Sequence, residues 1–382
     1  MSLVESFSKA EEPIVKFRTA SEARKEVPEL GYLNYWYPAV PSRTLRNKPL
    51  AIRLLGQDIV LYRSRGKVCA LQDRCAHRGL PLSIGKVRFP GTITCPYHGW
   101  TFNGEGACVA VLTEGPQSKI PGKARVRTYP VEERADTVWV FVGDMEPPPV
   151  ETDIPEDLFR TDQLVFSLGF TWQANWRLAM ENVADPSHGQ LLHRTSLRYL
   201  FRKYRAKSRL QAMDNEQGDG FFIDLGVRGE LERARTEFPG VGKFPKQIWW
   251  RFVGGRESRP PLKETGNMQF MSEIKLPGYL RVINPWFLLQ WSVPVDATSS
   301  RQYCWILRRA RGLKAVCVWL YWHLWYKFVM RQFLGQDRWV TEAQQAADAL
   351  SQPEKLSVND TGVIHWRRLA SQARQYQGAN IR

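Results

Sequence analysis

The chain has 382 residues, of which 43% are hydrophobic and 24% are charged. Its length predicts two domains, and its ordinary globular composition excludes a disordered, collagen-like or coiled-coil protein. The net charge of +16 favours an acidic partner, but no nucleic-acid-binding motif accompanies the charge, so we expect no nucleic acid as a ligand.

The first segment, residues 1–33, mixes charged and apolar residues and is predicted to form a helical arm. It has no apolar run of the kind found in secretory signals, so we expect a cytoplasmic protein. The longest uncharged apolar stretch, Ala315–Tyr326, is shorter than the ~20 residues that a membrane-spanning helix needs.

Two short segments of the predicted β-rich region after the arm each supply one thiolate and one imidazole. They contain Cys75 with His77, and Cys95 with His98. Two cysteines and two histidines suit tetrahedral Zn²⁺, or a [2Fe–2S] cluster in which one iron takes both cysteines and the other both histidines. Runs of β-type residues with glycine-containing turns surround these segments, which predicts a small antiparallel domain with two ligand loops at one end.

The ranges Cys75–Gly79 and Cys95–Trp100 resemble the two cluster-binding loops of the Rieske family. Neither loop has the extra cysteine that Rieske proteins of respiratory complexes join in a disulfide, so the resemblance is to the ring-hydroxylating oxygenases. It implies that four residues hold the [2Fe–2S] cluster, namely Cys75, His77, Cys95 and His98. The remaining cysteines are expected to be buried small hydrophobic residues, namely Cys69, Cys108, Cys304 and Cys317.

Residues 175–193 are predicted to form a helix with candidate metal ligands. Asp185 and His188 are three residues apart and share a face, whereas His188 and His193 are five apart, or ~140° around a straight helix. Both histidines can therefore bind one metal only if the helix is interrupted, and Pro186 and Gly189 lie where such a break is expected.

Two histidines and one carboxylate form the facial triad of non-haem Fe(II) oxygenases. Asp337, which precedes a helical run, is our candidate for the carboxylate beside His188 and His193. A hydrogen-bonded polar patch without a metal is the competing interpretation of these residues.

The segment 175–193 also resembles the catalytic signature of the ring-hydroxylating oxygenase terminal subunits. The layout is closest to the carbazole dioxygenase type, although the two histidines are one residue further apart, and more distant from the pheophorbide a oxygenase-like branch. The resemblance implies a mononuclear Fe(II) held by His188, His193 and Asp337. It further implies that Asp185 links a cluster histidine to a catalytic histidine across a subunit interface of a homotrimer, and that Asn182 lies near the iron.

The same resemblance implies an α+β fold. An all-β Rieske [2Fe–2S] domain (34–150) is followed by an α+β helix-grip-type catalytic domain (151–382), whose antiparallel sheet surrounds a C-terminal helix. Catalytic-domain strands are expected at five places, namely 164–170, 220–225, 268–274, 280–283 and 287–293.

These features predict a terminal oxygenase that uses O₂ and electrons from NAD(P)H to dioxygenate or monooxygenate a hydrophobic aromatic, polycyclic or heteroaromatic substrate. The chain has no glycine-rich dinucleotide motif, so we expect a ferredoxin, an NAD(P)H-dependent reductase, or both as partners. O- or N-demethylation, or oxidation of a tetrapyrrole or another large apolar natural product, is also compatible with the two sites. So are two functions without catalysis, namely a Rieske electron carrier or redox sensor, and a zinc protein that contacts nucleic acid.

The segment 312–334 has apolar residues on nearly every helical face. It is predicted to be a lid or core helix in the wall of the substrate pocket. Its flanking arginines and lysines also fit a weak contact with a membrane surface. The fifteen tryptophans of the chain suggest aromatic packing or a pocket for flat apolar ligands.

Overall fold

The computed structural model of the chain describes residues 24–25, 27–197, 211–215, 218–224, 271–282, 287–348 and 354–379. Within these ranges the strands form four antiparallel sheets and the helices follow mainly in the second half, which confirms the predicted α+β class. Most of the predicted N-terminal arm lies outside the described residues.

The first part of the described chain is all-β, as predicted. Its ten strands are β1 (Tyr35–Pro41), β2 (Leu50–Leu54), β3 (Gln57–Ser64), β4 (Lys67–Gln72), β5 (Thr92–Thr94), β6 (Trp100–Asn103), β7 (Cys108–Val111), β8 (Thr128–Tyr129), β9 (Val131–Arg134) and β10 (Thr137–Val142). They form sheets with the orders β1-β10-β9, β2-β3-β4-β8 and β5-β6-β7. The two predicted ligand loops follow β4 and β5.

One seven-stranded sheet forms the centre of the second part. Its strands are β11 (Gln163–Trp172), β12 (Gln211–Asp214), β13 (Gly220–Asp224), β14 (Met271–Lys275), β15 (Tyr279–Val282), β16 (Phe287–Asp296) and β17 (Ser299–Arg309). Their order is β11-β17-β16-β15-β14-β13-β12, so the first strand lies beside the last. Each of the five predicted strands overlaps one of these, although residues 225, 268–270 and 283 lie outside the described ranges.

The helices pack against this sheet. They are α1 (Trp176–Ala184), α2 (Gly312–Tyr321), a π-helical turn (Trp322–Tyr326), α3 (Lys327–Asp348) and α4 (Thr361–Ala379). Short 3₁₀ turns lie at Ser42–Thr44, Leu82–Ile84, Gly115–Gln117, Val150–Thr152, Glu156–Phe159, His188–Gln190, Leu192–Thr195 and Val358–Asp360. None of the helices in the described ranges is long and apolar enough to cross a membrane.

The expectation of one helix over 175–193 is wrong. The helix ends at Ala184 because Asp185 adopts an extended conformation (φ −103°, ψ 90°), as residues before proline generally do. Two 3₁₀ turns complete the segment, so the interruption that the histidine spacing required is present at Pro186.

Tryptophans join the two parts of the chain in a common core. The ring of Trp139 on β10 lies 5.3 Å from that of Trp291 on β16 and 5.8 Å from that of Trp305 on β17, measured between centroids. All three side chains are buried. These tryptophans therefore stabilise the contact between domains, in agreement with a role in aromatic packing.

The cysteines outside the ligand loops are free thiols. Cys108 and Cys304 are buried and Cys69 is half-buried. Cys317 is exposed, so the expectation that it is buried is wrong. It lies on α2, which packs on the sheet with one face only.

Candidate metal centres

In each cysteine–histidine loop, a glycine N–H donates a backbone hydrogen bond to the carbonyl of the cysteine that begins the loop. The Gly79 N–H donates to the carbonyl of Cys75 (2.9 Å), and the Gly99 N–H donates to the carbonyl of Cys95 (3.2 Å). Both glycines have positive φ, +78° and +67°, a conformation that other residues rarely adopt. The two loops therefore have the same turn geometry, and each presents its cysteine and histidine on one side.

The four side chains of the loops converge at the end of the β domain. The Cys75 and Cys95 thiols are buried and face each other, and burial raises the pKa of Cys75 to about 11. The imidazoles of His77 and His98 lie 4.7 Å apart. The His77 ring also stacks in parallel on Trp100, 4.9 Å away, which holds an otherwise exposed ring in place.

This donor set fits a two-iron cluster. The Nδ1 atom of His98 is buried and has no hydrogen-bond partner in the described chain, as expected of a lone pair that faces a metal. A single Zn²⁺ binds sulfur at ~2.3 Å and nitrogen at ~2.0 Å, which would bring all donor atoms within about 4 Å of one another. Among the described residues, no three donors of these loops approach within 4.8 Å, so the spacing favours two metal ions over one.

The second centre begins where α1 ends. Asn175 caps the start of α1, because its side chain accepts a hydrogen bond from the Arg177 N–H (3.0 Å). After the break at Pro186, the two 3₁₀ turns bring the rings of His188 and His193 to 5.2 Å of each other. A straight helix would have pointed these rings in different directions.

Asp337 reaches the two histidines from α3. Its Oδ1 atom lies 3.3 Å from His188 Nε2 and 3.1 Å from His193 Nε2, and the donor atoms all lie within 4.8 Å of one another. In the described ranges this is the one group of three or more such side chains that is so compact. The three residues thus fit a single metal ion with the two-histidine, one-carboxylate set.

The electrostatics of this group depend on burial and proximity together. Burial alone would raise the pKa of Asp337, but the two neighbouring imidazoles outweigh burial and lower it. Burial would likewise lower the pKa of His188, yet the Asp337 and Asp185 carboxylates raise it. Negative charge is therefore favoured on the carboxylate and positive charge is favoured beside it, as a cation site requires.

Two residues beside the site were not among the predicted ligands. Gln336 Oε1 accepts a hydrogen bond from His193 Nδ1 (3.1 Å), and its Nε2 donates to Thr195 Oγ1 (3.0 Å). Phe333 stacks on the His193 ring at 3.9 Å. No sequence signal identified Gln336, because it lies on α3 while its partner follows α1. Phe333 lies in the segment 312–334, which was predicted to be a lid or core helix in the pocket wall.

Of the remaining two predicted site residues, Asp185 interacts with His188 of this group. Asp185 Oδ1 accepts hydrogen bonds from the backbone N–H of Ser187 (2.8 Å) and from its hydroxyl, which fixes the turn that leads to His188. Asn182, one turn earlier on α1, accepts the Asp185 N–H through its carbonyl (3.3 Å). Within the described part of one chain, Asp185 forms no hydrogen bond to a cluster histidine.

A network of ion pairs centred on Glu181 holds α1 against the N-terminal segment and α4. Glu181 accepts from Arg24 (2.6 Å) and from Arg367 (2.8 Å), and Arg367 also donates to Glu354 (2.6 Å). Burial alone would lower the pKa of Arg367, but its two carboxylate partners raise it. The network therefore joins the N-terminal segment, α1 and α4 one turn before the metal-binding segment.

Comparisons with known proteins agree with both centres. The family model described as "Rieske [2Fe-2S] domain" matches residues 35–130, and the one described as "Homotrimeric ring hydroxylase" matches residues 141–377. The chain is 30% identical over 369 residues to the terminal oxygenase component of carbazole 1,9a-dioxygenase from Sphingomonas sp., covering 90% of this chain and 92% of that protein.

Two further similarities bear on chemistry and on structure. The chain is 28% identical over 343 residues to the 4beta-methylsterol monooxygenase of Methylococcus capsulatus, covering 84% of this chain and 83% of that protein. Among solved structures, it is similar to a chain of the reduced complex between oxygenase and ferredoxin in carbazole 1,9a-dioxygenase. That similarity has a TM-score of 0.72 and 27% identity, and covers 92% of this chain and 93% of the other.

Proposed function

Because the chain belongs to the homotrimeric ring hydroxylases, we infer that it is the terminal oxygenase of a multicomponent system. It is an oxidoreductase, a Rieske non-haem iron oxygenase with a [2Fe–2S] cluster and a mononuclear iron as cofactors. The proposed substrate is a hydrophobic aromatic, polycyclic or heteroaromatic molecule, hydroxylated with O₂. A location in the cytoplasm is part of the proposal, because the electrons come from NAD(P)H.

The observation that carries this proposal is the convergence of His188, His193 and Asp337. We propose that these three residues hold the iron and leave coordination positions open for O₂. When bound, the iron activates O₂ and the cluster supplies electrons to it. Gln336 accepts a hydrogen bond from the Nδ1–H group of His193. This hydrogen bond keeps the Nε2 lone pair directed at the metal position.

We propose that Cys75, His77, Cys95 and His98 hold the cluster. The exposed edge of His77 gives an electron donor access to this centre. An acidic ferredoxin suits this role, because the net charge of +16 would steer it toward the chain. The ferredoxin complex solved for the similar carbazole oxygenase supports a ferredoxin, with or without a separate reductase, as the partner.

We further propose that Asp185 links the two centres across a subunit interface of a homotrimer. Its carboxylate lies close enough to His188 to raise the pKa of that imidazole. Since Asp185 has no hydrogen bond to a cluster histidine within the described chain, the second half of the link would come from a neighbouring subunit. Asn182 is proposed to lie beside the iron without binding it.

The surroundings of the proposed iron support an apolar substrate. Phe333 covers one side of His193 with an apolar ring. An apolar surface beside the metal position favours a ligand with little charge. Because such substrates partition into lipid, the proposal includes a weak contact of the segment 312–334 with a membrane surface.

The experiment is anaerobic purification with iron and sulfide analysis, followed by product analysis with a surrogate ferredoxin system and a panel of aromatic and polycyclic substrates. We expect about three irons per chain, two from the cluster and one from the triad. His188→Ala should lose one iron and all hydroxylated product, whereas the exposed His323→Ala should lose neither. Two irons in the unaltered protein, or product from His188→Ala, would contradict the proposal.

A second candidate reaction is monooxygenation or demethylation of a large apolar natural product. The similarity to the 4beta-methylsterol monooxygenase over most of both chains favours it. The ligand set is common to these reactions, so the pose of the substrate decides between them. Mass spectrometry after turnover with ¹⁸O₂ separates them. Dioxygenation adds both oxygen atoms to the product, monooxygenation adds one, and demethylation releases its one inserted oxygen atom in formaldehyde.

A further inference from the structure

The helical rod made of α2, the π-turn and α3 has a buried face and an exposed face that are both apolar. The buried face packs on the sheet through residues such as Val318, Trp322 and Met330, and Trp322 stacks on Phe166 of β11 at 4.6 Å. This half of the rod belongs to the core of the catalytic domain, as the sequence analysis expected. The exposed half requires a separate explanation.

The exposed apolar residues recur every three or four positions, which places them along one side of the rod. We define the apolar stripe as Leu313, Val316, Leu320, Leu324 and Phe328. Leu313 is 85% exposed, Leu324 78% and Phe328 60%, and the half-exposed Trp319 and Trp325 flank them. Proteins in water seldom expose so continuous an apolar surface unless something binds it.

Positive charge lies at both ends of the apolar stripe. The sequence from Arg311 to Gln336 contains no aspartate or glutamate but includes Lys314 near the start of the stripe, and Lys327 and Arg331 near its end. Lys327 and Arg331 stand on either side of Phe328 along the helix. The stripe is therefore bordered by cations at its ends, and its middle, residues 315–326, is uncharged.

A groove beside the stripe is lined by Lys327 and Arg331 together with two more cations, Arg43 and Arg301. It has a volume of about 340 Å³ and lies between the β domain and the edge strand β11. Its charged lining residues are all basic. In the described chain none of the four is paired with a carboxylate within 4 Å, so the groove presents uncompensated positive charge next to Phe328.

We propose that the apolar stripe lies in the interface of an anionic lipid bilayer, with the basic groove on the lipid phosphates at its edge. Leucine, phenylalanine and tryptophan side chains on one face, bordered by lysine and arginine, are the composition of helices that lie in the plane of a membrane. This deepens the membrane contact of the proposed function, names its residues and lipid charge, and is independent of the iron chemistry.

Two other occupants fit the surface less well. A second copy of this chain carries the same net charge of +16, so an interface between copies would leave the cations of the groove uncompensated. An acidic redox protein would match the groove, but it would leave the stripe and its flanking tryptophans exposed. An anionic bilayer satisfies the charges and the apolar residues together.

The test is co-sedimentation of the full-length holoprotein with vesicles. Phosphatidylcholine mixed with phosphatidylglycerol should bind it, phosphatidylcholine alone should bind it weakly, and added salt should reduce the binding. Leu324→Glu and Arg331→Glu should each lower the partition coefficient about tenfold. The matched controls Met145→Glu and Lys123→Glu, on exposed residues of the β domain, should change it little.

Iron content and cluster absorption show whether each variant is folded, and turnover is measured separately from vesicle binding. Absence of binding to the anionic vesicles would overturn the inference and leave the oxygenase assignment untouched. If Leu324→Glu separates the subunits in sedimentation velocity, the stripe is an interface between copies. If Arg331→Glu keeps vesicle binding but raises the KM for ferredoxin, the groove binds the redox protein. Either of these results also overturns the proposal.

Discussion

The two candidate metal centres are assembled in opposite ways. The cluster loops take Cys75, His77, Cys95 and His98 from neighbouring turns of one small β domain, and His77 remains exposed. The triad takes its histidines from two turns after α1 and its carboxylate from α3. His193 and Asp337 are buried, 3% and 6% exposed, and His188 is half-buried. One centre is local and open, whereas the other is long-range and mostly buried.

This difference matches the tasks that we propose for the two centres. Electrons come from another protein, so a cluster histidine at the surface shortens their route. Activated oxygen must be kept from bulk water, so the triad is mostly buried. Burial in turn requires support, which Gln336, Phe333 and the ion pairs of Glu181 provide.

The largest expected effect separates the two centres. His98→Ala should abolish the Rieske absorption, whereas His193→Ala should keep that absorption and lose about one iron per chain. Product formation should fall below detection in both variants, because each centre depends on the other. Iron analysis and the visible spectrum are the measurements, and an unchanged iron content in His193→Ala would contradict the assigned ligands.

The next effect concerns the support of the mostly buried centre. Arg367→Met leaves the buried carboxylate of Glu181 and the half-buried carboxylate of Glu354 less compensated, so the free energy of unfolding should fall by about 3–5 kcal/mol. Arg53→Met breaks an exposed ion pair with Asp58 and should cost less than about 1 kcal/mol. Urea unfolding measures both, and equal losses would show that the network is not important for stability.

The connection between the centres is tested by Asp185→Asn. The amide oxygen can still accept from Ser187, so the turn should persist and both metals should remain bound. Loss of the charge should slow reoxidation of the reduced cluster in a single turnover by about 10- to 100-fold. Ser187→Ala removes the hydroxyl that donates to the Asp185 carboxylate but keeps the carboxylate's charge. This variant should slow reoxidation of the cluster less than Asp185→Asn does. A rate in Asp185→Asn equal to that of the unaltered protein would exclude the link.

The smallest expected effect tests whether Gln336 orients His193 or binds the iron itself. Gln336→Ala removes the acceptor of the His193 Nδ1 proton, so iron affinity should fall about tenfold while the cluster is unaffected. Gln344→Ala, further along α3, is the matched control. Iron affinity is measured by competition with a chelator, and complete loss of iron in Gln336→Ala would mean that this residue does more than orient the imidazole.

Much of the fold was predictable because its signals are short-range. The turn glycines and the alternating apolar residues indicated the all-β domain, and all five predicted catalytic strands overlap observed ones. The helix predicted over 175–193 ends at Ala184, and the break falls at Pro186, where the histidine spacing required one. The exposure of Cys317 was missed because an apolar segment does not reveal which of its faces is covered.

The sequence by itself determined the ligand types, their grouping into two loops and a histidine pair, and hence the class of chemistry. Only the tertiary structure decided that Asp337 meets His188 and His193, because that contact depends on how α3 packs across the sheet. The same packing placed Gln336 behind one histidine and left the apolar stripe uncovered. Spacing along the chain describes one element at a time, whereas a buried site is defined by atoms from elements that meet only when the core forms.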